Sequence, residues 1–273
     1  MFPRPARPFG LTAIVRTWDE AGWLAPSLRS IARVADQIVV GDNGSRDETP
    51  RILEELAGEL GPKLEVLELP GLDIAALTNA LLARARFRWV FRWDADFVAH
   101  TDGSRDIGQF RVWLTSLDPR QYFMVYPRMV ELAGDLAHYD PAQPMREDAH
   151  CFVESRWLRY VYDAEGREAP RVPPWYGVKR FETPCFLHLN IKPDERLYRS
   201  ELWKRWLGEA RPTGERFADY LVRVGGRGED LVSAARAWAQ DYRRRLRPLD
   251  SALLPEYPAL LRPFLDKTRP RLG

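Results

Sequence analysis

Two carboxylates stand one residue apart in Phe91-Arg92-Trp93-Asp94-Ala95-Asp96-Phe97, at the end of an apolar run. Residues i and i+2 of an extended chain point to the same side, so Asp94 and Asp96 can converge on one divalent cation. An isolated Asp-x-Asp serves equally well in turns, where carboxylates face water. A second stretch gives this pair context. Ile38-Val39-Val40-Gly41-Asp42-Asn43-Gly44-Ser45 also ends an apolar run in a polar turn, and a helical pattern opens near Asp47 and continues through Ile52, Leu53, Leu56 and Leu60. Strand, polar turn and helix N-terminus is the arrangement at which open α/β sheets bind nucleotides. Taken alone, Asn43-Gly44 reads as a tight turn and Asp47 as a helix cap.

The elements that must position these residues follow from periodicity. Strands are predicted near Leu11 to Val15, Gln37 to Gly41, Lys63 to Leu69 and Trp89 to Trp93, alternating with helices near Trp23 to Val34, Asp47 to Leu60, Ile74 to Ala85 and Ile107 to Leu117. Such alternation makes a mainly parallel sheet, and right-handed crossovers bring the carboxyl ends of its strands to one edge. Arg16 to Glu20, Asp42 to Ser45 and Asp94 to Asp96 then gather there. Gln121 to Met129 reads as a further strand followed by a hairpin return. Long Pro-interrupted stretches follow at Tyr139 to Asp148 and Asp163 to Glu182, and loops of that length in a compact domain are usually functional. From Arg196 the chain reads helical, at Leu197 to Leu207, Phe217 to Val224 and Asp230 to Leu246. Trp203, Trp206, Phe217, Tyr220 and Trp238 in that tail stand at helical spacing and read as core.

Composition excludes several classes. A net charge of +2 over 273 residues gives no reason for a polyanionic partner, and only five of the 41 basic residues are lysines. No apolar run approaches the roughly 20 residues needed to span a bilayer, and no signal-peptide core follows the N-terminus, so a cytoplasmic protein is expected. Cys151 and Cys185 are too few for a disulfide framework and read as buried thiols.

Taken together, the motifs resemble the family-2 glycosyltransferases of the GT-A fold. Leu11-Thr12-Ala13-Ile14-Val15-Arg16-Thr17-Trp18-Asp19-Glu20 is similar to that family's first strand and loop, with Arg16 in place of a proline and Asp19 in place of an asparagine. Its Asp-Asn-Gly-Ser-x-Asp-x-Thr is matched from Asp42 to Thr49, and its Asp-x-Asp by Asp94 and Asp96. Leu77-Thr78-Asn79 stands where the family has Ala-Arg-Asn. The resemblance implies an α/β GT-A fold, Rossmann-like, with a mainly parallel sheet flanked by helices and a C-terminal helical extension. Residues 1–195 would form the transferase domain, with 1–9 a flexible N-terminus and about 120–195 the acceptor side; residues 196–273 would form the extension.

The activity implied is metal-dependent, inverting transfer of a sugar from a nucleotide-diphosphate sugar, first of all a UDP-sugar, to a glycan, lipid-linked sugar, peptide or modified nucleic acid. A diphosphate leaving group builds charge that Mn²⁺ or Mg²⁺ on carboxylate oxygens can neutralise. By resemblance, Asp96 would contact the metal, and Asp94 would face its water shell, the ribose or the donor sugar. Asp42 would accept from the base, with Thr17, Glu20, Asn43, Ser45 and Asn79 lining the nucleotide pocket. His188, in the apolar run Pro184 to Lys192, is a candidate second metal ligand or a buried structural histidine, and Lys192 is placed to reach the diphosphate. Inversion needs a general base. Glu147 and Asp148 are the adjacent carboxylates expected to supply it, with Glu168 and Glu182 as rivals. The competing readings are a nucleotidyltransferase, which usually begins with a Gly-rich basic loop that Leu11 to Glu20 lacks, and a non-catalytic sugar-nucleotide or glycan-binding module.

Overall fold

The computed structural model describes residues 7–268 apart from 149 and 165. Most of the expected flexible start lies outside these residues. Arg7 and Pro8 are tied to the body through an Arg7–Glu154 ion pair at 2.7 Å and a bond from Arg88 N–H to the Pro8 carbonyl at 2.9 Å.

The first hundred residues alternate as expected: β1 (Leu11–Thr17), α1 (Leu24–Ala32), β2 (Gln37–Asp42), α2 (Thr49–Leu60), β3 (Leu64–Glu68), α3 (Ile74–Leu82) and β4 (Trp89–Asp94). Every residue of β2 and nearly every one of β1 is buried, as a parallel sheet covered on both faces requires. The strands run in the order β3-β2-β1-β4, all parallel. Helices α1 and α2, with a later helix α4 (Gly108–Ser116), pack on one face through Leu28, Ile31, Leu53 and Phe110, while α3 covers the other through Leu81 against Ile14 and Val39. A Cβ on Gly41 would fall 2.9 Å from both Leu77 and Leu81, so glycine is what lets α3 close on β2.

Beyond β4 the sheet turns mixed. β5 (Phe97–Ala99) follows immediately, and after α4 the long β6 (Phe123–Ala133) becomes the hub of the second half. β7 (His138–Tyr139), β8 (Met145–Glu147) and β9 (Cys151–Val153) follow; β8 is the expected hairpin return, antiparallel to β6, and β9 bridges β4 and β6. β10 (Arg159–Tyr162) and β11 (Glu168–Arg171) make a separate hairpin over α3. β12 (Gly177–Phe181) and β13 (Phe186–Asn190) run parallel to β6, and β13 is antiparallel to β5, giving a ten-stranded sheet.

The helical tail comprises α5 (Asp194–Glu209), α6 (Phe217–Tyr220) and α7 (Glu229–Arg245), and Trp203, Trp206 and Phe217 pack on one another within it. The chain then returns to the sheet. β14 (Arg247–Pro248) pairs with β7, and Leu254, Leu261 and the start of α8 (Arg262–Thr268) pack under Val98, Val130 and Leu187. No helix among the described residues is long and apolar enough to cross a membrane.

Candidate active site

Register places the site. β1 pairs with β2 on one side and β4 on the other, so Arg16 lies opposite both Gly41 and Asp94, and Thr17 opposite Asp42. The crevice outside these carboxyl ends, where the strand order reverses, is a cavity of about 300 Å³. From behind, α1 fixes the Asp-x-Asp turn: the Ser27 hydroxyl donates to the Asp94 carbonyl at 3.3 Å and accepts from the Trp93 indole at 2.9 Å.

Asp94 sits in a network of fixed charges. Arg16 donates to it at 3.0 Å and to Glu168 of β11 at 2.5 Å, Arg92 donates to the same Glu168 oxygen at 3.1 Å, and Thr78 hydrogen-bonds the other. Burial opposes ionisation of Asp94, but the neighbouring Arg92 and Arg16 outweigh it and hold the carboxyl far below the usual range. Arg16, standing where the resembled pattern has proline, therefore ties the first carboxylate of the motif to a hairpin more than 150 residues away in sequence.

Asp96 faces a looser arrangement. Because β5 pairs antiparallel with β13, His188 lies opposite Phe97; because β13 runs parallel to β6, His188 also lies opposite Glu131. His188 Nε2 is 3.4 Å from Asp96 Oδ2, and Nδ1 is 3.5 Å from Glu131 Oε2, both longer than a good hydrogen bond. Lys192 Nζ is 3.0 Å from the same Asp96 oxygen and 3.4 Å from Glu20. Burial pulls the His188 pKa down, but Asp96 and Glu131 on either side override it and raise it to about 9. Lys192, and after it His188, hold Asp96 ionised against its burial.

The cavity wall contains Thr17, Glu20 and Asn43 from the nucleotide set, Asp94 and Asp96, and His188 with Lys192. Thr17 Oγ1 and Asp96 Oδ2 are buried and carry no hydrogen bond among the described residues, although Asp96 Oδ2 faces the Lys192 ammonium at 3.0 Å. Asp42 and Ser45 stand behind the wall. The Ser45 hydroxyl donates to Asp42 at 2.5 Å and accepts from Asp19 N–H at 2.8 Å, which fixes the turn that presents Asn43. Asp19 adopts φ 52°, a left-handed conformation that a short Asx side chain tolerates, and its carboxylate accepts from Arg46 N–H at 2.7 Å.

Asn79 lies outside the cavity wall. Its amide exchanges two bonds with the backbone of Tyr160, at 2.8 and 2.9 Å, and so clamps the β10–β11 hairpin onto α3. Neither Glu147 nor Asp148 lines the cavity. Glu147 is paired with Arg128 at 2.7 Å and Arg180 at 3.2 Å. Asp148 is pushed down to about 2, since His150 and Arg146, the latter at 2.6 Å, outweigh its burial. A carboxylate so stabilised is a weak proton acceptor. The rival Glu182 is mostly exposed and pairs with Arg128 at 2.8 Å, and Glu168 is held by two guanidiniums. Three participants escaped the sequence reading: Glu131, whose only signal was an acid inside the apolar run of β6; Arg92, between the strand's apolar residues; and Arg196, one helical turn beyond Lys192, which pairs with Glu20 at 2.7 Å.

Residues 12–105 match the sequence profile of Glycosyl transferase family 2. Over that stretch the chain is similar to the family-2 glycosyltransferases. The sheet, its flanking helices and the C-terminal helices agree with the α/β arrangement expected from the sequence. No curated protein matches the chain. Among solved structures it is similar to S. aureus TarS 1-349 in complex with UDP-GlcNAc, at 12% identity and TM-score 0.49, over 84% of this chain and 73% of that one. It is also similar to the mannosyltransferase PcManGT from Pyrobaculum calidifontis in complex with GDP-Man and Mn²⁺, at 18% identity and TM-score 0.48, over 98% and 85%. Likenesses this distant assign neither donor nor metal to this chain.

Proposed function

We propose that the protein transfers a sugar from a nucleotide-diphosphate donor to an acceptor hydroxyl in a single inverting displacement, with a divalent cation held by Asp96 and His188. The observation that carries this reading is the convergence of Asp96 Oδ2 and His188 Nε2 at 3.4 Å in the wall of the sheet-edge cavity. An octahedral ion with bonds of about 2.1 Å spaces adjacent donors about 3 Å apart, so these two atoms fit neighbouring positions of Mg²⁺ or Mn²⁺ with small movements. The remaining positions would go to the diphosphate and water, in keeping with there being no cluster of three protein ligands among the described residues. Glu131 beyond Nδ1 orients the ring, the usual support of a metal-bound imidazole. When bound, the cation supplies charge neutralisation at the leaving diphosphate.

The chain's own groups do the rest. Thr17 and Asn43 at the ends of β1 and β2 meet the nucleoside, the edge at which such sheets bind nucleotides. Lys192 and Arg196 face the same cavity with cationic heads that balance Asp96 and Glu20 in the free protein. A diphosphate entering there would share them. A screen of UDP- and GDP-sugars for slow donor hydrolysis, with Mn²⁺ and then with EDTA, tests the reading. The expected result is hydrolysis of one donor class, lost with EDTA and restored by Mn²⁺, and an anomer inverted relative to the donor in any transfer product. Absence of nucleotide binding by calorimetry in the presence of Mn²⁺ would overturn it.

A further inference from the structure

A second cavity of about 360 Å³ opens between the sheet and the helical tail, and His188 and Lys192 belong to its wall as well as to that of the first. It is therefore the direct continuation of the proposed donor site past the metal-facing histidine. One side is aromatic. Trp238 and Tyr242 stand one turn apart on α7 with ring planes 7° apart and centroids at 5.2 Å. The other sides carry polar groups with unused capacity: the side chains of Gln143, Asn190, Ser200 and Glu201 make no hydrogen bond to another described residue.

The wall carries three carboxylates, Glu131, Asp140 and Glu201, against five basic side chains counting the histidine; Arg146, Lys192 and His188 already face carboxylates, which leaves Lys204 and Arg245 against Asp140 and Glu201. An anion would find little surplus to bind. A steroid or acyl chain would leave the amides and carboxylate it buries unsatisfied. Aromatic side chains lining a cavity together with amide, hydroxyl and carboxylate groups suit a molecule with C–H faces and hydroxyl edges, and the cavity's size falls in the usual range of about 300–1,000 Å³ for small-molecule sites.

We propose that this cavity is the acceptor site and that it binds an uncharged saccharide, its apolar face against Trp238 and Tyr242 and its hydroxyls on Gln143, Asn190, Ser200 and Glu201. The assignment of the site as an acceptor site rests on the transferase reading above; the binding of a saccharide does not. The helical tail is then part of the substrate site, not only a brace for the sheet.

Saturation-transfer NMR with a panel of methyl glycosides of glucose, galactose, mannose and N-acetylglucosamine, on the full chain with and without UDP or GDP and Mn²⁺, tests the proposal. Wild type should show binding of at least one glycoside. Ser200→Trp, which projects a large side chain from an exposed position of α5 into the cavity, should abolish it, and Asn190→Ala should weaken it about tenfold, the loss of a hydrogen bond or two. Circular dichroism checks that Ser200→Trp is folded; Asn190→Ala carries the test if it is not. Undiminished glycoside binding in the folded variants, or no binding of any glycoside by wild type, overturns the proposal. Wild type that binds nucleotide but no glycoside leaves the transferase reading intact and removes this one. Glycoside binding without nucleotide binding does the reverse.

Discussion

The two carboxylates of the Asp-x-Asp motif stand one residue apart and live in opposite surroundings. Asp94 is locked by a guanidinium at 3.0 Å inside a four-charge network with Arg16, Glu168 and Arg92. Asp96 is met by an ammonium and an imidazole, the latter at 3.4 Å, with one oxygen lacking a hydrogen bond. A carboxylate whose partners are fixed and close is part of the scaffold. One whose partners are a single ammonium at 3.0 Å and an imidazole at 3.4 Å, in the wall of a cavity, can share them with a ligand. Identical residue types thus divide the labour of one motif, and the division is made by which strands pair alongside.

Breaking the rigid flank should show first in stability. Glu168→Ala strands Arg16 and Arg92 without their shared acceptor, and removing one partner of a buried ion pair typically costs about 3–5 kcal/mol. Denaturant unfolding should show that loss; a change below about 1 kcal/mol would mean that the network is solvated. The flexible flank should show in catalysis instead. Asp96→Asn should lower turnover about 10²- to 10³-fold, the range for removing one electrostatic stabiliser of a transition state. Equal losses from Asp94→Asn and Asp96→Asn, with no difference in metal requirement, would erase the distinction between them. Glu131→Gln sharpens it further. The metal concentration for half-maximal activity should rise about 10- to 100-fold while nucleotide affinity stays as it was, because Glu131 pairs with His188 and Arg146 and is not in the wall of the first cavity.

Periodicity made the parallel half legible. β1 to β4 and α1 to α3 fall within a few residues of their predicted spans, since doubly covered strands are unbroken apolar runs and their helices show one apolar stripe. It could not show lateral neighbours. The row Phe97, His188, Glu131 is a matter of register between strands far apart in sequence, which no local pattern encodes. Glu168 was legible as an acid near the site and illegible as the partner of Arg16. Asn79 matched a nucleotide-site pattern, yet its amide faces the Tyr160 backbone, because the hairpin that uses it is itself remote in sequence.

Asn79→Ala should accordingly cost stability, about 1–2 kcal/mol for two lost hydrogen bonds, and leave nucleotide affinity unchanged. The smallest effect belongs to His100, fully buried with neither ring nitrogen hydrogen-bonded. Burial, reinforced by Arg105, lowers its pKa to about 4. The unfolded chain takes up that proton near pH 6.5, so the contribution is present above about pH 6.5 and is lost as pH falls from there to about 4. Urea midpoints at pH 7.5 and 5 should differ less in His100→Phe than in wild type; an unchanged difference would remove His100 as the source.

The return of the chain after α7 has a consequence for the order in which the protein can be assembled. Strand β13, which carries His188, rests on a core completed by Leu254, Leu261 and the beginning of α8. A ribosome delivers the parallel half before β13, and its strand pairs β1–β2 and β2–β3 join successive strands of the chain, so that half can close early. The pairing of Asp96 with His188 waits on residues further along the chain, so a nascent chain can form the crevice at the carboxyl ends of β1 and β2 before it brings His188 beside Asp96.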